Sequence, residues 1–358
     1  MAGPMMGSKS GKTLPRHGVE RIMVRGTNWI GDAVLTLPAI SSIRETYPLS
    51  RISILAKPWV ADIYRLSQHI DEVIPYESPG VHQGIGGMLS LAKELKARNY
   101  DMAILLQNAM EAAIIARLAA IPIRAGYDSD ARGFLLTHAI RRTKEIRQVH
   151  QVDYYLAMVK ALGCKEPEAG PLLHVTPEDD RAAGSLLVKY GLRKDHCIVG
   201  MAPGATYGPA KKWFPERFAA LADRFQADFS ARTILFGSRA DREATEAVNE
   251  HAKFSHLDLT GKTDLRTAVS LIAGCRLFIS NDSGLMHVAG ALNIPTIAIF
   301  GSTNPVTTAP VGEKSMIIYK DVECSPCLKK TCTADFRCID RIETGEVYEL
   351  AKKVLWEN

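Results

Sequence analysis

The 358-residue chain contains no run of 18 uninterrupted apolar residues. Its most apolar stretch, 103–123, is broken by Gln107, Asn108, Glu111 and Arg117, which argues against a transmembrane helix. Residues 1–19 hold glycine, serine, proline and lysine but no apolar core of a secretory signal, and are expected to form a disordered extension. The seven cysteines are an odd number, which disfavours a full disulfide framework. A cytoplasmic chain with reduced thiols is expected. Aromatic residues reach only 7% and the net charge is +5. Both fall short of what a nucleic-acid surface requires, while the mild positive charge suits an anionic ligand or a membrane surface. There is no internal repeat of 20–50 residues and no low-complexity half.

What is present is alternation. Short β-branched runs at 21–24, 51–56, 72–75, 102–106 and 123–127 alternate with helical periods at 33–46, 59–66, 87–98 and 109–119. Three prolines between Pro167 and Pro177 mark a linker. The alternation then restarts, with strands expected at 197–201, 233–236, 256–258, 276–280 and 296–300 and helices between them, and ends in a helix at 344–356. Strands alternating with helices imply βαβ units and parallel sheets, one in each half. Such sheets bind ligands at the carboxyl ends of their strands, and two facing sheets would make a cleft between domains.

Gly7-Ser-Lys-Ser-Gly11-Lys12-Thr13 has three residues between its glycines where a phosphate loop needs four, and no strand precedes it. The loop Arg25-Gly-Thr-Asn-Trp-Ile-Gly-Asp32 follows the first strand. Its Gly26 and Gly31 permit close ligand approach, and Asp32 is either an N-cap or a general base. In the second half, Asn281-Asp-Ser-Gly284 follows a strand. Asp282 could be a cap, whereas Ser283 and Gly284 open a helix whose free amides favour an anion. His287 lies one turn on and could face that anion or pack in the core. The loop 202–215 brings Lys211 and Lys212 as counter-charges for a diphosphate, or is a solvated surface loop. Asp241, in Gly237-Ser-Arg-Ala-Asp241, could accept from a ribose or cap a helix. Cys324, Cys327, Cys332 and Cys338 form a compact thiol cluster, consistent with structural zinc or with reduced thiols in a packed loop. Between Arg117 and His150, seven Arg and Lys face three acids, which suits an anionic acceptor or lipid, or is a solvated basic face.

Arg25-Gly-Thr-Asn-Trp-Ile-Gly-Asp-Ala33 with Leu37-Pro38, Pro203-Gly-Ala-x-x-Gly-Pro-Ala-Lys-Lys-Trp213, Asn281-Asp-Ser-Gly-Leu-Met-His287, Phe300-Gly-Ser-Thr303 and Cys324-Ser-Pro-Cys327 together resemble the ADP-heptose:lipopolysaccharide heptosyltransferase family. The Thr-Asn-Trp-Ile-Gly-Asp form is most like its heptosyltransferase II branch. The similarity spans about residues 20–355. It implies an α/β chain of the GT-B glycosyltransferase fold, with two Rossmann-like domains facing an interdomain cleft: an acceptor domain at 20–170, an ADP-sugar domain at 171–340 carrying the cysteine cluster 324–338, and a C-terminal helix, 341–358, returning to the first domain.

The resemblance further implies an inverting, metal-independent transfer of L-glycero-D-manno-heptose from ADP-heptose to the first heptose of the inner core. The expected partners are ADP-heptose and a lipid A-core acceptor at the inner leaflet of the inner membrane, reached peripherally and with no nucleic acid. No cofactor is expected for catalysis, with zinc possible only as a structural ion. Asp32 matches the catalytic base and Lys211 the donor-phosphate lysine, with Lys212 beside it. Asp282, Ser283, Gly284 and His287 match the nucleotide-diphosphate site. Thr206, Asp241 and Thr263 are looser matches for phosphate, ribose and adenine contacts. Thr27, Asn28, Trp29 and Gly31 form the acceptor loop. Heptosyltransferase I, another member with a different acceptor, and a non-catalytic nucleotide- or zinc-binding regulatory protein are the alternatives.

Overall fold

The structure, a computed structural model, describes residues 13–167 and 172–356. The chain divides between Leu172 and Leu173 into two compact units. The expected boundary at 170/171, residues 7–12 of the motif that ends at Thr13, and the start of the expected extension lie outside the described residues.

In the first unit, β1 (Arg21–Arg25), α1 (Ile30–Thr46), β2 (Arg51–Ala56), α2 (Ala61–Arg65), β3 (Glu72–Pro75), α3 (Gly84–Lys96), β4 (Met102–Leu105), α4 (Met110–Leu118), β5 (Ile123–Tyr127), β6 (His138–Ile140) and α5 (Gln151–Ala161) follow one another. The strands form one parallel sheet in the order β3-β2-β1-β4-β5-β6. Strands such as Arg-Ile-Met-Val-Arg and Met-Ala-Ile-Leu are apolar on both faces because helices cover both sides. Helix α1 is buried over most of its circumference and packs against α5. The short β6 and the helix α5 were not expected from the sequence.

The second unit contains α6 (Pro177–Lys189), β7 (Ile198–Ala202), α7 (Pro215–Phe229), β8 (Arg232–Leu235), α8 (Arg242–His251), β9 (Leu257–Asp258), α9 (Leu265–Ala273), β10 (Leu277–Asn281), α10 (Gly284–Ala291), β11 (Thr296–Phe300), α11 (Pro305–Thr308), β12 (Ser315–Tyr319), α12 (Arg337–Asp340) and α13 (Thr344–Trp356). Its parallel sheet runs β12-β11-β10-β7-β8-β9. Strand β12 is an addition to the expected five. Counted from the first strand of each unit, both sheets have the order 3-2-1-4-5-6. The direction of winding therefore reverses between β1 and β4, and again between β7 and β10, where open α/β sheets hold ligands.

One expectation is corrected. Residues 13–19 are not a disordered extension. Leu14 is buried and its amide donates to the Leu162 carbonyl at 3.0 Å, Arg16 donates to the Gly163 carbonyl at 2.8 Å, and the Tyr47 hydroxyl donates to the Pro15 carbonyl at 3.0 Å. One apolar side chain in a polar segment thus anchors it beside the end of α5. Helix α13 packs into the core of the second unit. Val347, Tyr348, Ala351 and Leu355 join Phe225 and Ile299 there. Tyr348 stacks on Phe225 and donates to Asp228 at 2.6 Å, so α7 supplies the aromatic and polar partners this helix requires.

Candidate functional site

At the reversal in the second sheet, β7 runs into the loop 203–214 and β10 into α10. Asn281, the last residue of β10, joins the two: its Nδ2 donates to the Pro203 carbonyl at 2.7 Å and its Oδ1 accepts from the Trp213 amide at 2.9 Å. Trp213 is buried and donates its indole N–H to the Ile342 carbonyl at 2.9 Å. The loop is therefore fixed at both ends, and Lys211 extends from it. Its Nζ lies 2.5 Å from Asp282 Oδ2 and 4.8 Å above the Tyr207 ring. Asp282, 5% exposed, also accepts from the Thr303 hydroxyl. Gly204 has to be glycine, because a Cβ there would sit 2.1 Å from an Asp241 oxygen.

Asp282 is not the cap of α10. Ser283 holds the N-cap position with no side-chain capping bond, and its hydroxyl lies 3.0 Å from that of Ser280. The first amides of an eight-residue helix thus open beside Lys211 and Asp282. His287 is buried on that helix. Of the two lysines, Lys211 rather than Lys212 reaches Asp282. The remaining donor candidates are less concentrated. Thr206 is exposed and Thr263 half-buried ahead of α9. Asp241 closes a capping box, accepting through Oδ2 from the Ser238 amide at 2.8 Å and hydroxyl at 2.7 Å.

At the reversal in the first sheet, the loop after β1 carries Thr27, Asn28 and Trp29. Tyr64 of α2 packs so closely on Gly26 that a Cβ there would fall 2.7 Å from the phenol oxygen, and that oxygen accepts from the Thr27 amide at 3.0 Å. Asn28 accepts from Arg25 at 2.9 Å through its side chain and from the Trp59 indole at 2.7 Å through its carbonyl. Trp29 is 64% exposed. Asp32 is not an N-cap. Trp29 occupies that position, so Asp32 stands at the third helical residue, half-buried beside Gly31. Burial holds the Tyr155 phenol well above its ordinary pKa and the Asp32 charge adds to this, which makes the two electrostatic neighbours.

The basic run is split in two. Arg132 is fully buried and donates to the carbonyls of Tyr127, Gln107 and Leu105, so it is structural. Arg117, Arg141, Lys144 and Arg147 are exposed.

Cys324, Cys327, Cys332 and Cys338 line one pocket of about 50 Å³. Among the described residues, however, no group of three or more His, Cys, Asp or Glu side chains is arranged to hold a metal ion. The structural-zinc expectation therefore finds no support. The Cys332 sulfur instead accepts from the amides of Ala334 and Phe336, each at 3.4 Å, and closes its own loop.

The sequence profile described as glycosyltransferase family 9 (heptosyltransferase) matches residues 88–336. The chain belongs to glycosyltransferase family 9. It is a glycosyltransferase of the heptosyltransferase family, and the non-catalytic alternative falls away. It is 31% identical to lipopolysaccharide heptosyltransferase 2 of Escherichia coli, over 83% of this chain and 87% of that one. It is 33% identical to lipooligosaccharide heptosyltransferase 2 of Haemophilus influenzae, over 83% and 88%. The solved structure of E. coli ADP-heptose lps heptosyltransferase II superposes with a TM-score of 0.81 at 28% identity, covering 94% of this chain and 99% of that one. A family 9 glycosyltransferase from Veillonella parvula gives 0.86 at 25% identity, covering 95% and 98%. The two doubly wound sheets are those of the GT-B glycosyltransferase fold.

Sequence reasoning left Asn281, Thr303, Tyr155 and Lys57 without roles. Thr303 stood in a quoted motif, but its bond to Asp282 exists only in the folded chain. Among the described residues, no helix is long and apolar enough to cross a membrane.

Proposed function

We propose that this family 9 enzyme transfers L-glycero-D-manno-heptose from ADP-heptose to the first heptose of the lipopolysaccharide inner core, with inversion and without a catalytic metal. The observation that carries the reading is the Lys211–Asp282 pair at the opening of α10, in a chain similar to an ADP-heptose lps heptosyltransferase II. Departure of ADP concentrates negative charge on its terminal phosphate. Lys211, the first amides of α10 and the helix dipole supply stabilisation for that charge. Lys211 gives up part of its contact with Asp282 as the diphosphate arrives, and the Thr303 hydroxyl continues to hold the carboxylate.

The acceptor hydroxyl must lose a proton as the anomeric carbon becomes electron-poor. Asp32 is the base, at a helix start where the dipole favours negative charge. The base takes the hydroxyl proton, the hydroxyl oxygen forms the new glycosidic bond, and the bond from the anomeric carbon to ADP breaks with its electrons on the phosphate. A single displacement inverts the anomeric centre. The acceptor is a lipid, so the enzyme meets the inner leaflet peripherally, with the exposed Arg117, Arg141, Lys144 and Arg147 as contacts for anionic headgroups.

The test is ADP release from ADP-heptose with EDTA present, with and without a heptose-bearing lipid A core, read together with product mass. Release that requires this acceptor and adds one heptose is the expected result. Release only on a core lacking heptose reassigns the acceptor, and a requirement for added metal removes the metal-independent step.

A further inference from the structure

The carboxyl ends of β1, β2 and β3 bring two buried cations against one aromatic ring. Arg25, the last residue of β1, is 2% exposed, and Lys57, the first residue after β2, is 6% exposed. Tyr76, just past β3, lies between them. Its ring centroid is 3.6 Å from Lys57 Nζ and 5.2 Å from the Arg25 guanidinium carbon. The Tyr76 hydroxyl donates to Glu111, an exposed residue in the first turn of α4.

The hydrogen bonds of both cations go to neutral groups. Lys57 donates to the Ser78 carbonyl at 2.6 Å. Arg25 donates to the carbonyls of Gly26 and Leu55 and to the Asn28 side chain, and its Nε finds no partner among the described residues. Among those residues neither cation forms an ion pair within 4.0 Å. Glu111, the carboxylate that acts on both, is bonded to tyrosine instead. Two like charges held together out of water, with one carboxylate in their field, leave an excess positive charge that the protein does not neutralise. Burial and the nearby arginine pull the Lys57 ammonium below its ordinary pKa, consistent with that excess.

The cluster lies beside the acceptor loop. Arg25 holds the Asn28 side chain, and Trp59, two residues after Lys57, holds the Asn28 carbonyl. This edge opens at Trp29 and Trp59, which are 64% and 50% exposed.

We propose that Lys57, backed by Arg25, receives an oxyanion carried by the acceptor, a carboxylate or a phosphate, and is a specificity-determining residue of the transfer reaction. The proposal deepens the function given above and rests on it. An oxyanion at Lys57 would neutralise the excess charge and accept a charge-assisted hydrogen bond. It would also fix the acceptor against the loop that leads to Asp32.

Lys57→Gln tests this, because glutamine can still donate to the Ser78 carbonyl while carrying no charge. Relative to the unaltered enzyme, it should raise the acceptor KM about tenfold, the size of one charge-assisted bond, and leave kcat and the ADP dissociation constant within about twofold. Lys57→Arg should restore most of the acceptor affinity. The penalty should vanish with one of two modified acceptors, one stripped of phosphates and one with reduced carboxyl groups, and the acceptor that abolishes it identifies the anion. An acceptor KM within about twofold of the unaltered enzyme overturns the proposal, as does a penalty equal on both modified acceptors.

Absence of turnover by the unaltered enzyme with ADP-heptose would instead overturn the functional reading. In that case inorganic phosphate and acetate are titrated against tryptophan fluorescence, with Trp59→Phe as the reporter control. A saturable change lost in both Lys57→Gln and Trp59→Phe upholds the anion site, and a response unaltered in Lys57→Gln removes it.

Discussion

The two units wind six strands in the same order and put their distinctive residues at the same topological place, yet they treat charge there in opposite ways. In the second unit the half-buried cation is matched within the protein: Lys211 lies 2.5 Å from the buried Asp282, which Thr303 also holds. In the first, Arg25 and Lys57 are buried against neutral partners and one tyrosine ring. The strand order explains why both sites lie at sheet reversals but not what either does, which depends on the side chains the loops carry. A paired cation is held in position, and in the proposed reaction it exchanges its partner for a diphosphate. Unpaired cations leave charge for a ligand to neutralise.

Asp32→Asn gives the largest effect that would sharpen this comparison. It should lower transfer by about 10²–10⁴, the range for loss of a positioned base, while calorimetry finds ADP binding within about twofold of the unaltered enzyme. Near-normal turnover would remove Asp32 from the chemistry and leave the first unit a binding role alone. Lys211→Met comes next. It strands Asp282, 5% exposed, without its cation, and should weaken ADP binding by about 10–100-fold and cost about 3–5 kcal/mol of stability by denaturant unfolding. Adding Asp282→Asn should recover much of the stability but not the ADP affinity. Recovery of both would make the pair purely structural.

Gly26→Ala and Gly204→Ala compare the frames that hold the two loops. The new Cβ would meet the Tyr64 ring in one and an Asp241 oxygen in the other, each inside van der Waals contact. Each should cost about 1–3 kcal/mol, read as a lower denaturation midpoint, because a packed side chain must move. Gly26→Ala should affect acceptor use and leave ADP binding intact, and Gly204→Ala the reverse. Equal effects of both on ADP affinity would contradict the assignment of separate ligands to the two units.

The parallel α/β architecture was readable in the chain because strands covered on both faces are apolar runs, and glycine with aspartate at their ends marks the turns. The same turns mark Asp32, Lys211 and Asp282 as candidates. The elements not anticipated carry weaker signals: β6 is three residues, and β12 is an edge strand with an exposed residue among its five. Helix α5 follows a long irregular segment, so Tyr155, the neighbour of Asp32, went unnoticed with it. Asp32 reads as a cap because aspartate is common there, but Trp29 is the cap and Asp32 stands three residues further in, at the third helical position. The Lys57 cluster was not legible at all. A lysine after a strand looks like a surface residue, and only the packing of Tyr76 and Trp59 around it makes it buried.

The smallest expected effect probes that cluster from its tyrosine. Burial and the bond to Glu111 push the Tyr76 hydroxyl up to about 12, against an ordinary value of 10.0. The folded state therefore holds this proton where the unfolded chain has begun to lose it. The corresponding stability is fully present below pH 10 and is lost as pH rises through 12. Tyr76→Phe lacks this titration, so between those values the unaltered protein should lose stability faster than the variant, by at most about 1.4 kcal/mol per pH unit. Urea unfolding at matched pH measures the difference. Parallel stability curves for the two proteins would show that the phenol is not held by Glu111, which would then be free to pair with Lys57. The contrast between a self-neutralised second site and an uncompensated first one would disappear with it.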